Sequence, residues 1–470
     1  MPSRHPLSHA QRALWFLHRV SPTGGAYHTG VALYVRSALD TAALGRAVDF
    51  VARRHELLRS VFTESDGEPV RIQHEEPTEP LVIRELPGAH DDALRAAVRA
   101  ELLAPFALEL KGAFRFRLLR RGPQDAVLLI AGHHIATDAT SNWLVLRDVM
   151  HAYRDLVAGG DPEPGAPSGS HDTYVAKESA LLSSPRGARM EEYWREVCEG
   201  AVPAELPLDR PRPAGHAGGN GRTHRIDLCA DRVEPLRRTA HADGVSLFSY
   251  LLGTFQATLH RYTRQNAFLL GCPTTTRISP AVREVVGNLI NTLVLRADFA
   301  PGTTLRDAAL AADRQVKGGL ARVGYPFELI TRAANRPRTG AGSSLCRITF
   351  NMIGTATPDP LLRLLLDSAD DRRTARFAGL LLHPYDLPQA EGQLDLAVSI
   401  RQSTESLTVE FRYDADLFDE ATVARLGGCF VRALDAAVAD PGLPVARLRL
   451  MDGTEWAQLL GLGGDGSRHG

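Results

Sequence analysis

The sequence predicts an α/β protein with two domains, and three observations support this prediction. The chain has 470 residues, of which 44% are hydrophobic, so each half is long enough to bury a core of its own. Apolar segments with strand-like and helix-like spacing alternate along both halves. Between the halves, residues 158–170 are rich in Gly, Pro and Ser and lack periodicity, which predicts a linker.

The first half is predicted to begin and end with a helix. Its elements, in order, are a helix at 8–20, a strand at 31–35, a helix at 41–58, a hairpin with strands at 61–62 and 70–72, a helix at 91–103, strands at 114–118 and 126–130, and a helix at 141–156. Ser8 and Gln11 have the spacing of a capping box at the start of the first helix. The strand at 126–130 is apolar throughout, which predicts a central position in a sheet.

The second half repeats this alternation of helices and strands. Its predicted elements are a helix at 181–197, a strand at 225–228, a helix at 247–263, a strand at 268–271, a helix at 305–320, strands at 348–350, 394–400 and 407–413, and a helix at 420–437. The sequence therefore predicts a first lobe over 1–170, a second lobe over 171–460 and a glycine-rich, flexible tail over 461–470.

Composition excludes several classes of protein. The 54 basic and 55 acidic residues give a formal net charge of -1, which argues against a generally basic nucleic-acid binder. The five cysteines lie far apart, which argues against a disulfide framework and a zinc ribbon. No apolar run approaches the roughly 20 residues that a membrane helix needs. The N-terminal MPSRHP lacks the apolar stretch of a signal peptide, so we expect a cytoplasmic protein that binds neither nucleic acid nor membrane.

The most informative motif is HHIATDA at 133–139, at the exit of the apolar strand and the start of a helix. Sites in α/β folds gather at strand ends, and an imidazole of ordinary pKa can accept a proton from an amine or a hydroxyl. Two other interpretations compete with a catalytic histidine. One is a buried structural pair, His133 and His134, beside an N-capping Asp138. The other is a metal site, but zinc needs three or four convergent ligands and no third ligand lies nearby in sequence.

Residues 133–139 resemble the HHxxxDG signature of the condensation domains of nonribosomal peptide synthetases, in the chloramphenicol-acetyltransferase-like superfamily. Other segments resemble this family's motifs in the same order and extend the resemblance over almost the whole chain. They are LSHAQRALW at 7–15, RHELLRSVF at 54–62, PF at 105–106, VGNLINT at 286–292, YPFE at 325–328, LCRITFN at 345–351, QLDL at 393–396 and YDADLF at 413–418.

The resemblance implies a fold, a set of partners and a way of presenting substrates. The fold is a V-shaped pseudo-dimer of two chloramphenicol-acetyltransferase-like lobes with a tunnel between them. Carrier proteins bring a donor thioester to one mouth of the tunnel and an acceptor to the other. The substrates are held on phosphopantetheine arms of those carriers, so no bound cofactor is expected.

The resemblance also implies roles for particular residues. His134 corresponds to the catalytic histidine, and His133 to the supporting one. Asp138 is mainly structural and is paired with Arg277, while Asn351 matches a polar residue near the catalytic histidine.

Four further motif residues are expected to lie in the core or between the lobes. They are Gln11, Trp15, Arg59 and Asn291.

Three departures from the family pattern indicate a divergent branch. Ala139 stands where the family has Gly, the segment TYVAK at 173–177 lacks the family's Trp, and Leu289 replaces an aromatic residue. One hypothesis is that the Ala139 methyl lines the tunnel and narrows it. The competing interpretation is a neutral change at a helix start, where Ala is favourable.

The sequence therefore predicts a free-standing acyltransferase that joins a carrier-bound acyl or aminoacyl thioester to an amine or hydroxyl, in the biosynthesis of a natural product such as an antibiotic. The first motif begins close to Met1, so if this sequence is the whole protein, carriers are expected in trans; the alternative is a domain excised from a larger synthetase. The acceptor is either a small molecule or carrier-bound. Two alternatives remain, namely an epimerisation-type enzyme and a catalytically silent platform that recruits a carrier. The intact His133, His134 and Asp138 argue against the silent platform.

Overall fold

The computed structural model describes residues 2–163, 169–213, 220–334, 345–354, 359–366, 374–387, 394–403 and 406–451. These ranges form a mixed α/β structure with elements in both halves of the chain. In the first half the elements are β1 (Ser3–Pro6), α1 (His9–Val20), β2 (His28–Val35), α2 (Thr41–Arg54), β3 (Ser60–Ser65), β4 (Glu68–Gln73), β5 (Leu81–Glu85), α3 (Asp91–Leu103), β6 (Phe114–Gly122), β7 (Asp125–His133) and α4 (Ala139–Val157). The predicted tail at 461–470 lies outside the described residues.

The second half contains the remaining helices and strands. They are α5 (His171–Leu182), α6 (Pro185–Cys198), β8 (Val202–Pro203), β9 (Gly221–Leu228), α7 (Ala230–Ala242), α8 (Leu247–Thr263), β10 (Ala267–Thr275), α9 (Pro280–Arg283), β11 (Ile290–Asp298), α10 (Leu305–Leu320), α11 (Phe327–Ala333), β12 (Ile348–Gly354), α12 (Pro360–Leu366), β13 (Ala375–Phe377), β14 (Leu380–Pro384), β15 (Leu396–Gln402), β16 (Leu407–Asp414) and α13 (Glu420–Ala439).

Two large sheets organise the described residues. The six-stranded sheet has the order β13-β14-β2-β7-β6-β5, and the seven-stranded sheet has the order β11-β10-β12-β15-β16-β9 with β8 beside β10. The other three named strands form a small sheet in the order β1-β4-β3. Each large sheet has its own hydrophobic core, and we call the two units the first and second lobes. The predicted boundary at residue 170 stays a prediction.

Strand β7 lies inside the six-stranded sheet, between β2 and β6, and carries the candidate site at its end. Residues 126–133 of this strand are all buried, as its continuous apolar sequence predicted. The predicted capping box is also present, because the Ser8 side chain accepts from the Gln11 N–H and the Gln11 side chain accepts from the Ser8 N–H. Local sequence thus places both α1 and β7 correctly.

The segment that holds α12, β13 and β14 belongs to the first lobe although it lies late in the chain. Strand β14 pairs antiparallel with β2, with Leu382 opposite Val35. Leu361, Leu364 and Leu382 are buried in the core of the first lobe. This crossover ties the second half of the chain to the edge of the first sheet.

Two predicted helices are wrong in their extent. The helix predicted at 41–58 ends at Arg54, because His55 is extended, and a separate 3-10 helix follows at Glu56–Arg59. The helix predicted at 181–197 is two helices, α5 and α6, that meet at Ser183 and Ser184. Ser184 caps α6 by accepting from the Gly187 N–H, and Pro185 occupies the first turn. Proline cannot continue a preceding helix but suits the first turn of a new one, so α6 starts there.

Helix packing in the second lobe depends on one close approach. Helix α8 lies against α10, and a Cβ atom added at Gly253 would come within 2.6 Å of the Ala309 Cα. Glycine therefore lets the two backbones touch.

None of the helices in the described ranges combines the length and apolar composition that crossing a membrane requires.

Candidate active site

His134 is the first residue after β7, and its ring orientation is set by a short turn. Its Nδ1 lies 3.0 Å from the Thr137 carbonyl oxygen. A carbonyl only accepts hydrogen bonds, so Nδ1 is the donor here, and in the neutral imidazole Nε2 then carries the lone pair. The His134 N–H donates to the Tyr27 carbonyl at 2.8 Å, and the residue is half-buried. The contact between Nδ1 and the Thr137 carbonyl turns Nε2 away from that carbonyl, so in the Nδ1–H tautomer Nε2 is the nitrogen that can accept a proton.

His133 supports this turn from inside the first lobe. Its side chain is buried, and its Nδ1 accepts a hydrogen bond from the Ile135 N–H at 3.1 Å. Burial holds the pKa of His133 well below its ordinary value, and the neighbouring His28 and His18 lower it further. A neutral His133 is consistent with a structural role.

Asp138 caps helix α4 and also joins the two lobes. One carboxylate oxygen accepts from the Ser141 N–H at 2.8 Å. The other lies 2.6 Å from Arg277 Nη1 and accepts from the Leu289 N–H at 2.9 Å. The Asp138 and Arg277 side chains are only 4% and 5% exposed, so the ion pair expected from the resemblance is present and buried.

Ser141 was not singled out by the sequence, yet it completes this junction. Its hydroxyl donates to the Gly287 carbonyl at 2.7 Å and accepts from the Gly287 N–H at 3.0 Å. Arg277 Nη2 donates to the same hydroxyl at 2.7 Å. Asp138 and Ser141 of α4 thus hold the 277–289 segment of the second lobe, a contact that no local pattern could indicate.

The remaining predicted site residues lie in different surroundings. Ala139 is the first residue of α4, is exposed, and does not have a positive φ, so the methyl group fits the backbone. Asn351 lies on β12 opposite Ser399 of β15 and is half-buried. Among the hydrogen bonds of the described residues, none joins Asn351 to His134.

Four motif residues expected in the core or between the lobes have structural contacts. Gln11 donates to the Ile135 carbonyl at 2.8 Å and so holds the turn that carries His134. Asn291 donates to the carbonyls of Val323 and Tyr325, each at 2.7 Å, within the second lobe. The other two contacts are Trp15 to the Glu64 carboxylate and Arg59 to the His74 carbonyl.

A metal site was the competing interpretation of the histidine motif. Within the described ranges, no group of three or more His, Cys, Asp or Glu side chains is arranged to hold a metal ion. His133 uses its Nδ1 on Ile135, and the Asp138 carboxylate is engaged by Arg277 and backbone N–H groups. These contacts leave neither His133 Nδ1 nor the Asp138 carboxylate available as a metal ligand.

Buried histidines predict a specific dependence of stability on pH. Burial lowers the pKa of His28 to about 4 and the pKa of His171 to about 3. The unfolded chain has the ordinary pKa of 6.5, so it binds more protons than the folded chain below that pH. The stabilisation from these neutral imidazoles is complete above pH 6.5 and is lost as the pH falls. Glu178 has the opposite effect on stability. Burial raises its pKa to about 7, so its contribution to folding is present at low pH and is lost as the pH rises toward 7.

We therefore expect His28→Asn to weaken the pH dependence of unfolding. Its amide can still donate to the Leu102 carbonyl, which His28 Nδ1 contacts at 3.1 Å. Chemical denaturation at pH 7 and pH 5 gives the free energy of unfolding at each pH. Between pH 7 and pH 5 this free energy should fall by about 1–2 kcal/mol more in wild type than in the variant. His241→Asn, at an exposed position on α7, is the control and should match wild type. Equal losses in His28→Asn and wild type would contradict the expectation.

Known proteins with similar sequences come from one family. The condensation-domain family model matches residues 2–460. The chain is 31% identical over 460 residues to a linear gramicidin synthase polypeptide of Brevibacillus parabrevis, covering 97% of this chain and 9% of that protein. It is 32% identical over 453 residues to phosphinothricin tripeptide synthetase PhsC of Streptomyces viridochromogenes, covering 95% of this chain and 40% of that protein. The chain thus spans less than half the length of these relatives.

Solved structures of condensation domains share the fold. The first condensation domain of the calcium-dependent antibiotic synthetase matches with a TM-score of 0.75 at 24% identity, covering 96% of this chain and 99% of that one. The X-domain in its complex with OxyB from teicoplanin biosynthesis matches with a TM-score of 0.83 at 24% identity, covering 96% and 97%. With the family match over nearly the whole chain, these findings identify the protein as a member of the condensation-domain family of nonribosomal peptide synthesis.

Proposed function

We propose that this chain condenses a carrier-bound acyl or aminoacyl thioester with an amine or hydroxyl acceptor, forming an amide or an ester in natural-product biosynthesis. The observation that carries the proposal is the hydrogen bond between His134 Nδ1 and the Thr137 carbonyl, which in the neutral imidazole leaves Nε2 as a proton acceptor at the end of β7. General-base assistance of this kind is typically worth about 10²–10⁴ in rate.

In the proposed reaction, the acceptor nitrogen or oxygen attacks the thioester carbonyl carbon while His134 Nε2 takes its proton. The new C–N or C–O bond forms, and the C–S bond to the phosphopantetheine arm then breaks. The proton moves from His134 to the departing sulfur, so the imidazole returns to its starting state. His133 and the Asp138–Arg277 pair shape the turn and touch neither reactant.

A silent recruiting role is the second candidate, and one comparison favours considering it. The X-domain has the same fold and is described in a complex with OxyB. A recruiting platform needs a docking surface but no oriented base. The held tautomer of His134 therefore supports catalysis over recruitment alone, and it does not distinguish condensation from epimerisation.

A single-turnover experiment separates the three candidate functions. A carrier protein loaded with a radiolabelled aminoacyl thioester is mixed with the chain and an acceptor, and the products are resolved. Condensation predicts a new amide or ester, epimerisation predicts an isomerised thioester, and recruitment predicts binding without chemistry. An isomerised or unchanged thioester across a broad panel of acceptors would overturn the proposal.

The manner of carrier delivery is also a proposal. We infer that a separate carrier protein can supply the donor in trans, that the phosphopantetheine arm is the only prosthetic group involved, and that the reaction takes place in the cytoplasm. The V-shaped arrangement with a tunnel open at both ends is part of the same proposal. Turnover with an isolated loaded carrier, and its loss when the free acyl group is offered together with a carrier that lacks the arm, would support delivery in trans.

Ala139 is proposed to influence which substrates are accepted. Its exposed methyl at the start of α4 lies five residues after His134 in sequence. We expect Ala139→Gly to keep activity and broaden the range of accepted thioesters or nucleophiles, and Ala139→Val to lower turnover with little change in stability. The measurement is a substrate panel across the three proteins. Identical substrate profiles for Ala139→Gly and wild type, with full activity in Ala139→Val, would show that this position does not select substrates.

A further inference from the structure

The orientation of the His134 ring depends on a carbonyl group that regular secondary structure does not hold. His134 Nδ1–H donates to the Thr137 carbonyl at 3.0 Å. Thr137 comes after the end of β7 and before Asp138, the N-cap of α4. Its carbonyl therefore belongs neither to the ladder of the sheet nor to that of the helix. Its direction is therefore open to influence from the side-chain contacts of Thr137.

Two side chains form a relay that fixes Thr137. The Thr137 hydroxyl donates to Asn142 Oδ1 at 2.8 Å, and Asn142 Nδ2 donates to Thr29 Oγ1 on β2 at 3.2 Å. Thr137 and Asn142 are 0% and 2% exposed, so the bond between them is shielded from solvent, while Thr29 is half-buried. The relay fastens the turn to α4 on one side and to the neighbouring strand on the other.

The methyl group of Thr137 is held as firmly as its hydroxyl. A Cβ atom added at Gly132 would come within 2.5 Å of Thr137 Cγ2, so the methyl occupies the space that only glycine leaves on β7. Hydroxyl and methyl together leave the Thr137 side chain one position. With the residue held in this place, its carbonyl lies against the His134 ring.

We propose that Thr137 and Asn142 are positioning residues for His134, which they orient by holding the carbonyl that selects the Nδ1–H tautomer. Thr137 occupies a variable position of the HHxxxDG signature, and Asn142 lies beyond the signature. The inference rests on the proposed function, in which Nε2 takes the proton of the acceptor. Neither residue touches the reactants in this account.

Loss of the relay should affect turnover more than substrate binding. When the carbonyl can turn away, the imidazole proton is shared between Nδ1 and Nε2, and the Nε2–H form presents a donor where the reaction needs a lone pair. Only the remaining fraction of correctly oriented imidazole is productive. We expect kcat to fall about 10- to 100-fold, with KM within twofold of wild type.

The variants are Thr137→Val, which removes only the hydroxyl and keeps the shape, Asn142→Leu, and the double variant. Because both single changes break the bond between Thr137 and Asn142, the effect of the double variant should fall short of the product of the two single effects. Thr258→Val is the control. Thr258 is fully buried in α8 of the second lobe and its hydroxyl donates to the Thr254 carbonyl at 2.8 Å, so it should lower Tm with kcat unchanged.

A spectroscopic measurement tests the orientation without turnover. In protein with ¹⁵N-labelled histidine, the His134 signals, assigned with His134→Ala, should show a protonated Nδ1 and an unprotonated Nε2 in wild type. Thr137→Val should show a mixture of tautomers. An unchanged single tautomer, or kcat within twofold of wild type in Thr137→Val, would overturn the proposal.

Failure of the proposed function gives a different result. If the wild-type chain condenses no substrate but its His134 tautomer still depends on Thr137, the proposed reaction is wrong and the positioning role of Thr137 stands. If Asn142→Leu does not fold, the isosteric Thr137→Val carries the test alone.

Discussion

Replacing His134 by alanine is expected to reduce condensation about 10²- to 10⁴-fold while the protein stays folded. The ring is half-buried at the end of β7, and its side-chain hydrogen bond is to the Thr137 carbonyl. Removing it therefore deletes the proposed base and leaves the core of the first lobe in place. The measurements are single-turnover rate and Tm under identical conditions.

His133→Ala is the matched comparison, since it removes the neighbouring imidazole from the core. His133 is buried and accepts a hydrogen bond from Ile135, so we expect a lower Tm as well as lower activity. If a folded His134→Ala protein condensed substrates at nearly the wild-type rate, His134 would not be the required base.

Breaking the Asp138–Arg277 pair is expected to destabilise the protein by about 3 to 5 kcal/mol. Asp138→Ala leaves the Arg277 guanidinium buried without its carboxylate, and it also removes the acceptor for the Leu289 N–H. The junction between α4 and the 277–289 segment should loosen, so activity should fall together with the free energy of unfolding. Equilibrium denaturation and single-turnover assays measure the two effects.

Two further proteins make this prediction specific. In Asp138→Leu/Arg277→Met both charges are gone, so its stability should lie closer to wild type than that of Asp138→Ala. Arg232→Ala breaks an exposed ion pair, in which the side chains of Arg232 and Asp435 are 44% and 48% exposed. This change should lower the free energy of unfolding by at most about 1 kcal/mol. A free energy of unfolding for Asp138→Ala equal to that of Arg232→Ala would contradict the account.

Local sequence was sufficient for much of the secondary structure. The helices predicted at 91–103, 247–263 and 305–320 have the same bounds in the structure. Their apolar residues repeat at helical spacing, and a capping residue such as Thr304 marks the start of the last of them. The bounds of such helices are determined by residues close together in the sequence, so the sequence pattern alone was enough to predict them.

Long-range pairing was beyond the reach of these patterns. The pairing of β14 with β2 brings together residues more than 340 positions apart, and the short strands β13 and β14 carry no distinctive alternation. The broken helix at Ser184 and Pro185 could have been found, because a capping serine before proline is a start signal for a helix.

The candidate site shows the same division. HHIATDA alone placed His133, His134 and Asp138 at a strand end, and the family resemblance supplied Arg277 as the partner of Asp138. Ser141 and Asn142 escaped notice because serine and asparagine early in a helix are common and their partners, Gly287 and Thr29, lie on other elements. Their roles follow from tertiary placement.

The most direct test of the central claim is the fate of one labelled acyl group in a single turnover. Wild type and His134→Ala are each mixed with the same loaded carrier and acceptor, and the carrier and product are followed by mass spectrometry. The account predicts that the acyl group leaves the carrier and appears in an amide or ester with wild type, and stays on the carrier with His134→Ala. Equal rates of product formation by both proteins, or an acyl group that wild type leaves on the carrier, would contradict it.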